Sequence, residues 1–259
     1  MDYNFHTHTL RCHHATGKAE EYILCAIDGG IKYMGFSDHI PLMHDDGKQS
    51  WYRVPIEEGK EYCDEIKLLA KEYQSKIELH VGFEAEYFTQ YFDKMVNDAI
   101  DFGAEYLILG QHFLCPPNHD SKIVSCGTDS DKELKDYVNL VIAAMSEGVF
   151  TYVAHPDIFN FLGDENTYKR EMTRLCKASQ MYKVPLEINF LGIRDNRNYP
   201  NGKFWQIAGE CGSPVTFGID AHSPDVAFDG QSHFYAMQMV EKYKLNYIGK
   251  PDLVPLKRM

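Results

Sequence analysis

The stretch Asn4-Phe5-His6-Thr7-His8, with a further histidine at His14, determines how the rest of this sequence is interpreted. A β-strand directs alternate side chains to the same face, so His6 and His8 point the same way at the end of a short apolar run. Two histidines on one strand face are also common at a solvated edge, so this pair alone is weak evidence for a metal site.

The same arrangement recurs along the chain, where apolar runs end in an imidazole or a carboxylate. The later runs are Gly35-Phe36-Ser37-Asp38-His39, Val81-Gly82-Phe83-Glu84, Leu109-Gly110-Gln111-His112, Val153-Ala154-His155 and Phe217-Gly218-Ile219-Asp220-Ala221-His222. Imidazoles and carboxylates repeated at strand ends form the donor set of a multinuclear metal site. This repetition makes the solvated-edge interpretation improbable.

The intervals between these runs predict an alternation of strands and helices. Strands are predicted at 4–7, 33–37, 77–83, 106–110, 151–154, 185–189 and 215–218. Helices are predicted at 18–28, 56–73, 93–102, 131–146, 168–182, 203–211 and 231–242. Such alternation is typical of parallel strands joined by helical crossovers. Ligand-type residues on both the first and the last strand favour a closed or nearly closed α/β barrel, with the site at the C-terminal ends of its strands. We predict one domain over residues 1–259.

The composition of the chain limits the kinds of partner and the cellular compartment that we expect for this protein. The chain of 259 residues carries a net charge of −12, which argues against nucleic acid because nucleic-acid-binding proteins usually present a basic face. It contains seven cysteines without a Cys-x-x-Cys pair, which favours free thiols in a reducing compartment. The N-terminus lacks the basic and apolar regions of a signal peptide, and no apolar run reaches membrane-spanning length. We therefore expect a cytoplasmic protein without a membrane partner; the oligomeric state is not predicted.

Taken together in their order and spacing, these motifs resemble the PHP (polymerase and histidinol phosphatase) family, in its monofunctional histidinol-phosphatase type. The likeness runs from Phe5 to about Asp225. It implies a distorted barrel of seven βα units that holds three divalent metal ions. By this likeness one metal would be held by His6, His8, Glu84 and Asp220, a second by Glu84, His112 and His155, and a third by His14, His39 and His222. His14 is preferred over the adjacent His13 because its six-residue step from His8 matches the family.

The donor chemistry bears on which metal binds. Nine candidate ligands with Glu84 bridging supply enough bonds for three metals and leave room for water and phosphate. Imidazole with carboxylate suits Zn better than Mg or Ca, with Mn and Fe as alternatives.

The resemblance implies a metal-dependent phosphomonoesterase that hydrolyses L-histidinol phosphate in histidine biosynthesis, by attack of a metal-bridging hydroxide. Glu84 and Asp220 would hold the catalytic metals. Arg194, which follows a strand end and a glycine, is expected to clamp the phosphate bidentately, and Arg197 and Arg53 are weaker candidates for substrate binding.

Two long loops, 39–55 and 113–130, are candidate lids. The first offers groups for the amine and imidazole of a small phosphate ester: Asp45, Asp46, Trp51 and Tyr52.

Three alternatives remain at this stage. The first is a related PHP phosphoesterase that acts on another small phosphate ester or a nucleotide. The second is an amidohydrolase-type metal hydrolase, which would normally use a lysine near a middle strand end, and none is seen near Glu84 or His112. The third is a non-catalytic metal-binding subunit, against which the complete ligand set argues.

Overall fold

The protein is described by a computed structural model that covers residues 1–117 and 121–259. Within these ranges eight parallel strands form one sheet, ordered as in the chain. The strands are β1 Tyr3–Asn4, β2 Tyr33–Phe36, β3 Glu78–Ala85, β4 Tyr106–Leu109, β5 Phe150–Val153, β6 Leu186–Asn189, β7 Pro214–Gly218 and β8 Asn246–Tyr247. The predicted barrel of parallel strands is thereby confirmed, with one short strand more than the seven predicted.

Helices cover the outside of the sheet. They are α1 Ala19–Asp28, α2 Gly59–Tyr73, α3 Phe92–Phe102, α4 Asp131–Ser146, α5 Glu165–Tyr182, α6 Phe190–Arg194, α7 Gly202–Cys211 and α8 Gly230–Tyr243. All seven predicted helices are present. The short α6 was not predicted, because five residues are too few to show a helical period.

Local sequence explains where α4 begins and which face it buries. The Ser130 hydroxyl accepts a hydrogen bond from the backbone amide of Glu133, which satisfies one free donor of the first turn. Buried side chains then recur at the spacing of one helix face, at Leu134, Tyr137, Val138 and Val141. This face packs inward, and α4 also packs beside α5.

The first and seventh strands meet at the end of the barrel that carries the site. Thr7 bridges to Ala221 in parallel, and the His8 amide donates to the Ala221 carbonyl at 2.9 Å. At the other end of β7, β8 pairs with Pro214 and Val215. The barrel is therefore distorted: β1 closes against β7 only where the ligand residues lie.

The C-terminal segment 248–259 lies across the opposite end. The Val254 amide donates to the Thr151 hydroxyl at 3.2 Å, and the Met259 amide donates to the Asn97 side chain at 3.2 Å. Arg258 also pairs with Asp101 on α3. Among the described residues, no helix combines the length and the hydropathy needed to span a membrane.

Candidate metal centre

Glu84, near the end of β3, is the centre of the site. It is 2% exposed, and imidazole nitrogens of the described chain surround its two carboxylate oxygens. The nitrogens lie at 3.0 Å (His155), 3.2 Å (His39), 3.4 Å (His8), 3.6 Å (His6) and 3.7 Å (His112). One carboxylate can therefore bridge metals on both of its sides, as the sequence predicts for Glu84.

Asp220, which follows β7, forms the second anionic group. Its Oδ1 lies 3.4 Å from the Nε2 of His6 and of His8, and 3.3 Å from the Nδ1 of His222. Asp220 Oδ1 and His6 Nε2 are buried, yet neither has a hydrogen-bond partner within the described part of the chain. Buried polar atoms are normally satisfied. A metal cation between these two atoms would satisfy both, so the residues present fit a divalent metal.

The pKa shifts of the two carboxylates, and of two of the imidazoles, favour the forms that bind metals. Burial alone would raise the pKa of Glu84, but the imidazoles of His39, His112 and His6 hold it well below its usual value. The pKa of Asp220 is likewise held low against burial by His6 and His222. Burial lowers the pKa of His112 and of His222 to about 3. Anionic carboxylates and neutral imidazoles are the protonation states that ligate metals. Against burial, the neighbouring carboxylates raise the pKa of His6 to about 10 and also raise the pKa of His8 and of His155, so a metal bound there would displace a proton from these rings.

Glu187, on β6, orients the ligands from behind and was not assigned a role from the sequence. Its Oε1 lies 2.8 Å from His6 Nδ1, and its Oε2 accepts from the His155 amide at 3.0 Å. A proton on His6 Nδ1 then leaves Nε2 free to face Asp220. Asn189 donates to Glu187 and to Asp220 Oδ2, at 2.9 and 3.0 Å. The sequence did carry one signal for this role: Glu187 and Asn189 lie two residues apart at the end of a strand, so their side chains face the same side.

Two glycines make room for these carboxylates. A Cβ at Gly110 would lie 1.7 Å from Glu84 Oε1, and one at Gly218 would lie 1.7 Å from Glu187 Oε1. No side chain can therefore replace either glycine without displacing a carboxylate of the centre.

The structure distinguishes His14 from His13. The His14 ring lies 4.9 Å from the ring of His222 and 5.2 Å from that of His39. The His13 ring instead contacts the Trp51 carbonyl, with its Nδ1 at 2.8 Å from that oxygen. His14 faces the cluster, and its role as a metal ligand stays a prediction. Asp38 accepts hydrogen bonds from the amide and the hydroxyl of Thr9 at 2.8 and 2.7 Å.

The three arginines proposed as substrate ligands occupy different environments. Arg194 lines the cavity, and its guanidinium donates to the carbonyls of Ile219 and Asp220 at 3.0 and 3.1 Å and to Asp229 at 2.9 Å. Arg197 also lines the cavity. It pairs with Asp195 at 2.9 Å and donates to the Tyr199 hydroxyl at 3.2 Å.

Arg53 departs from the expectation. It is 2% exposed, forms an ion pair with Glu86 and donates to the Ile40 carbonyl at 3.0 Å. It lies behind the cavity wall, so a direct contact with substrate requires a rearrangement of this buried pair. Its local sequence gave no sign of the partner, because Glu86 lies 33 residues further along the chain, just after the end of β3.

A cavity of about 1630 Å³ opens over the centre. Its wall includes four side chains of the loop 39–55 that the sequence put forward: Asp45, Asp46, Trp51 and Tyr52. Trp51 is 70% exposed, and the Tyr52 ring lies 5.4 Å from the His39 ring in an edge contact. The loop 113–130 contributes Phe113, Pro116 and Pro117, while His119 lies outside the described residues.

The fold and the donor set define a class of protein: a parallel α/β barrel that gathers imidazoles and carboxylates at the C-terminal ends of its strands. The family model of the PHP domain matches residues 4–190, and the chain belongs to the PHP family. The resemblance drawn from the motifs is confirmed.

Relatives with names fit this membership. A protein of Deinococcus radiodurans named probable histidinol-phosphatase is 29% identical over 233 residues, which span 85% of each chain. A probable phosphatase of Shewanella halifaxensis is 26% identical over 92% of this chain and 82% of its own length. The crystal structure of histidinol phosphate phosphatase from Lactococcus lactis, complexed with zinc, L-histidinol and phosphate, has a TM-score of 0.71 at 16% identity and covers 95% of both chains. At that identity, the structural likeness shows the fold.

Proposed function

We propose that this protein is a metal-dependent phosphatase that hydrolyses L-histidinol phosphate to L-histidinol and phosphate in histidine biosynthesis. The observation that carries the proposal is the convergence of Glu84 and Asp220 on His6, where His6 Nε2 and Asp220 Oδ1 are buried and have no hydrogen-bond partner within the described residues. The phosphatase class agrees with the PHP family and with the names of the relatives.

The centre is expected to hold three divalent metal ions, of which zinc fits the donors best, with Mn and Fe as alternatives. When bound, such ions lower the pKa of a coordinated water and offset charge on phosphate oxygens. Zinc also accompanies L-histidinol and phosphate in the Lactococcus lactis enzyme. The chain supplies the proposed ligands, fixes the tautomer of His6 through Glu187 and buries most of the ligand atoms.

Arg194 is proposed to contact the phosphate. Three of its hydrogen bonds run to Ile219, Asp220 and Asp229, so its guanidinium is held rigidly in the cavity wall beside the metal ligand Asp220. A planar donor group fixed in this way is suited to phosphate oxygens, whose charge increases during transfer. Arg197 is a second candidate at the same wall.

The loop 39–55 is proposed to recognise the rest of the substrate. Asp46 is engaged by Lys48 at 3.0 Å, which leaves Asp45 as the better candidate to pair with the substrate amine. Trp51 is positioned to stack on an imidazole, since its exposed ring lies in an edge contact with His14 at 6.3 Å.

A substrate panel tests the proposal. The metal-replete enzyme is compared on L-histidinol phosphate, p-nitrophenyl phosphate, AMP and small sugar phosphates. We expect kcat/KM for histidinol phosphate to exceed the others roughly a hundredfold, because a site built around an amine and a ring rejects esters that lack them. Equal rates across the panel would contradict the assigned substrate.

A second candidate is a PHP phosphatase for another small phosphate ester. The cavity of about 1630 Å³ favours it, because pockets for small ligands usually range from roughly 300 to 1,000 Å³. A wide cavity admits a larger ester than histidinol phosphate. A clear preference for a larger member of the panel would select this candidate.

A further inference from the structure

Cys12 lies at the edge of the metal centre, in the 3₁₀ turn Leu10–Cys12 between His8 and His14. Its side chain is fully buried, and its Sγ lies 4.0 Å from His14 Nε2. The thiol also donates to the Thr9 carbonyl at 3.1 Å. Sulfur and imidazole nitrogen at this separation can share one tetrahedral metal after a small side-chain adjustment, because Zn–S and Zn–N bonds are about 2.3 and 2.0 Å long.

The tautomer of His14 directs its lone pair toward Cys12. His14 Nδ1 lies 2.7 Å from the Cys12 carbonyl oxygen, which can only accept a hydrogen bond. The proton of a neutral His14 therefore sits on Nδ1, and Nε2 carries the lone pair that faces the sulfur. A backbone carbonyl on the far nitrogen is the usual way in which proteins orient a metal-binding histidine.

His8 provides an independent sign of a ligand at this place. His8 is 1% exposed, and its Nε2 faces Glu84 and Asp220. Its Nδ1, on the other side of the ring, is buried and has no hydrogen-bond partner among the described residues, and Asp38 Oδ1 lies 4.0 Å from it. His8, Cys12 and His14 each offer a ligand atom, and these atoms lie within 4.8 Å of one another.

We propose that Cys12 is a sulfur ligand of the metal ion that His14 holds, beside the expected ligands His39 and His222. Because His8 Nε2 faces Glu84 and Asp220, the proton of a neutral His8 sits on Nδ1, where it can be donated to a metal-bound thiolate. The proposal rests on the metal centre of the proposed function but not on its substrate. A thiolate is a soft ligand that prefers zinc over manganese. Cys12 would thus make the outer metal position selective for zinc, although the remaining donors also suit Mn and Fe.

X-ray absorption at the zinc edge tests this on the zinc-loaded holoprotein. We expect a sulfur scatterer at about 2.3 Å in the wild-type protein, absent in Cys12→Ser. Cobalt(II) substitution gives a second readout, a sulfur-to-cobalt charge-transfer band that is lost in the same variant. Cys25→Ser is the matched control, since Cys25 lies on α1 and is only partly buried; it should keep both signals.

Zinc affinity at the site that His14 and Cys12 share should fall roughly 10- to 100-fold in Cys12→Ser, while manganese affinity should change less. A wild-type shell of nitrogen and oxygen alone would overturn the proposal, as would a sulfur signal that persists in Cys12→Ser. A wild-type spectrum without a sulfur shell refutes the proposal even if the variant folds poorly. The outcome is also separate from the substrate assignment, because a sulfur shell can be present in an enzyme that does not hydrolyse histidinol phosphate.

Discussion

Glu86 and Arg53 form an ion pair buried behind the metal centre, and both side chains are 2% exposed. The second oxygen of Glu86 accepts from the amides of His112 and Phe113, each at 3.1 Å. Arg53 in turn donates to the Tyr52 hydroxyl at 3.2 Å. The pair thus joins the loop 39–55 to the backbone of a proposed metal ligand.

Breaking this pair from one side should strongly destabilise the protein. Glu86→Gln leaves Arg53 buried and uncompensated, for which we expect a loss of about 3–5 kcal/mol in the free energy of unfolding. The double variant Arg53→Met with Glu86→Gln should lose less free energy of unfolding than the two single variants, Arg53→Met and Glu86→Gln, lose together. Urea denaturation of the metal-free proteins measures this cycle, and additive losses would show that the two side chains are not coupled.

Glu84 should matter more for metal content than any single imidazole at the edge. Because Glu84 Oε1 and Oε2 face different histidines, Glu84→Ala is expected to remove ligands from two metals, whereas His14→Ala removes one from the outer position. Elemental analysis of the purified, metal-replete proteins checks the order. One metal or fewer per wild-type chain would refute the trinuclear centre.

Arg194 should act on the phosphate rather than on the metals. We expect Arg194→Lys to reduce kcat/KM by roughly ten- to a thousand-fold, the scale for one charged electrostatic donor. Metal content, measured on the same samples, should not change. Arg170→Lys is the control, since Arg170 is a mostly exposed residue of α5. Full activity of Arg194→Lys would move the phosphate contact to Arg197.

The loop 39–55 should determine substrate choice. Asp45→Asn and Trp51→Ala are expected to raise KM for histidinol phosphate but to spare p-nitrophenyl phosphate, which lacks the amine and the imidazole. Lys60→Gln is the control, since Lys60 is an exposed residue of α2 that pairs with Asp64. Steady-state kinetics on both substrates separates the two effects, and equal losses on both would mean that the loop supports the metal centre.

The sequence alone could predict those site residues that are identified by their type and by their position at the end of a strand. His39, Glu84 and His155 could be predicted as neighbours because parallel strands end at the same face of a barrel. β1 is shorter than predicted, and only the structure shows why. The Asn4 side chain bonds the amides of His6 and Ile219 at 3.1 and 2.9 Å, and so takes the place of strand pairing.

Partners from distant strands could not be predicted. Arg53 was expected to meet the substrate because a lone arginine in a loop gives no sign of a buried carboxylate such as Glu86. Glu187 likewise lacks a local signal that separates a carboxylate orienting His6 from one that binds metal. β8 and α6 have too few residues for a periodic pattern.

The closure of the first strand on the seventh, where Thr7 meets Ala221, sets the order of events during biosynthesis. His6 leaves the ribosome long before Asp220, and at about 5–20 residues per second the interval is roughly 10–40 seconds. Throughout that time the nascent chain carries histidines that lack their second carboxylate. The first metal of the proposed set draws ligands from both ends of the chain, so its complete protein ligand set exists only once the barrel has closed.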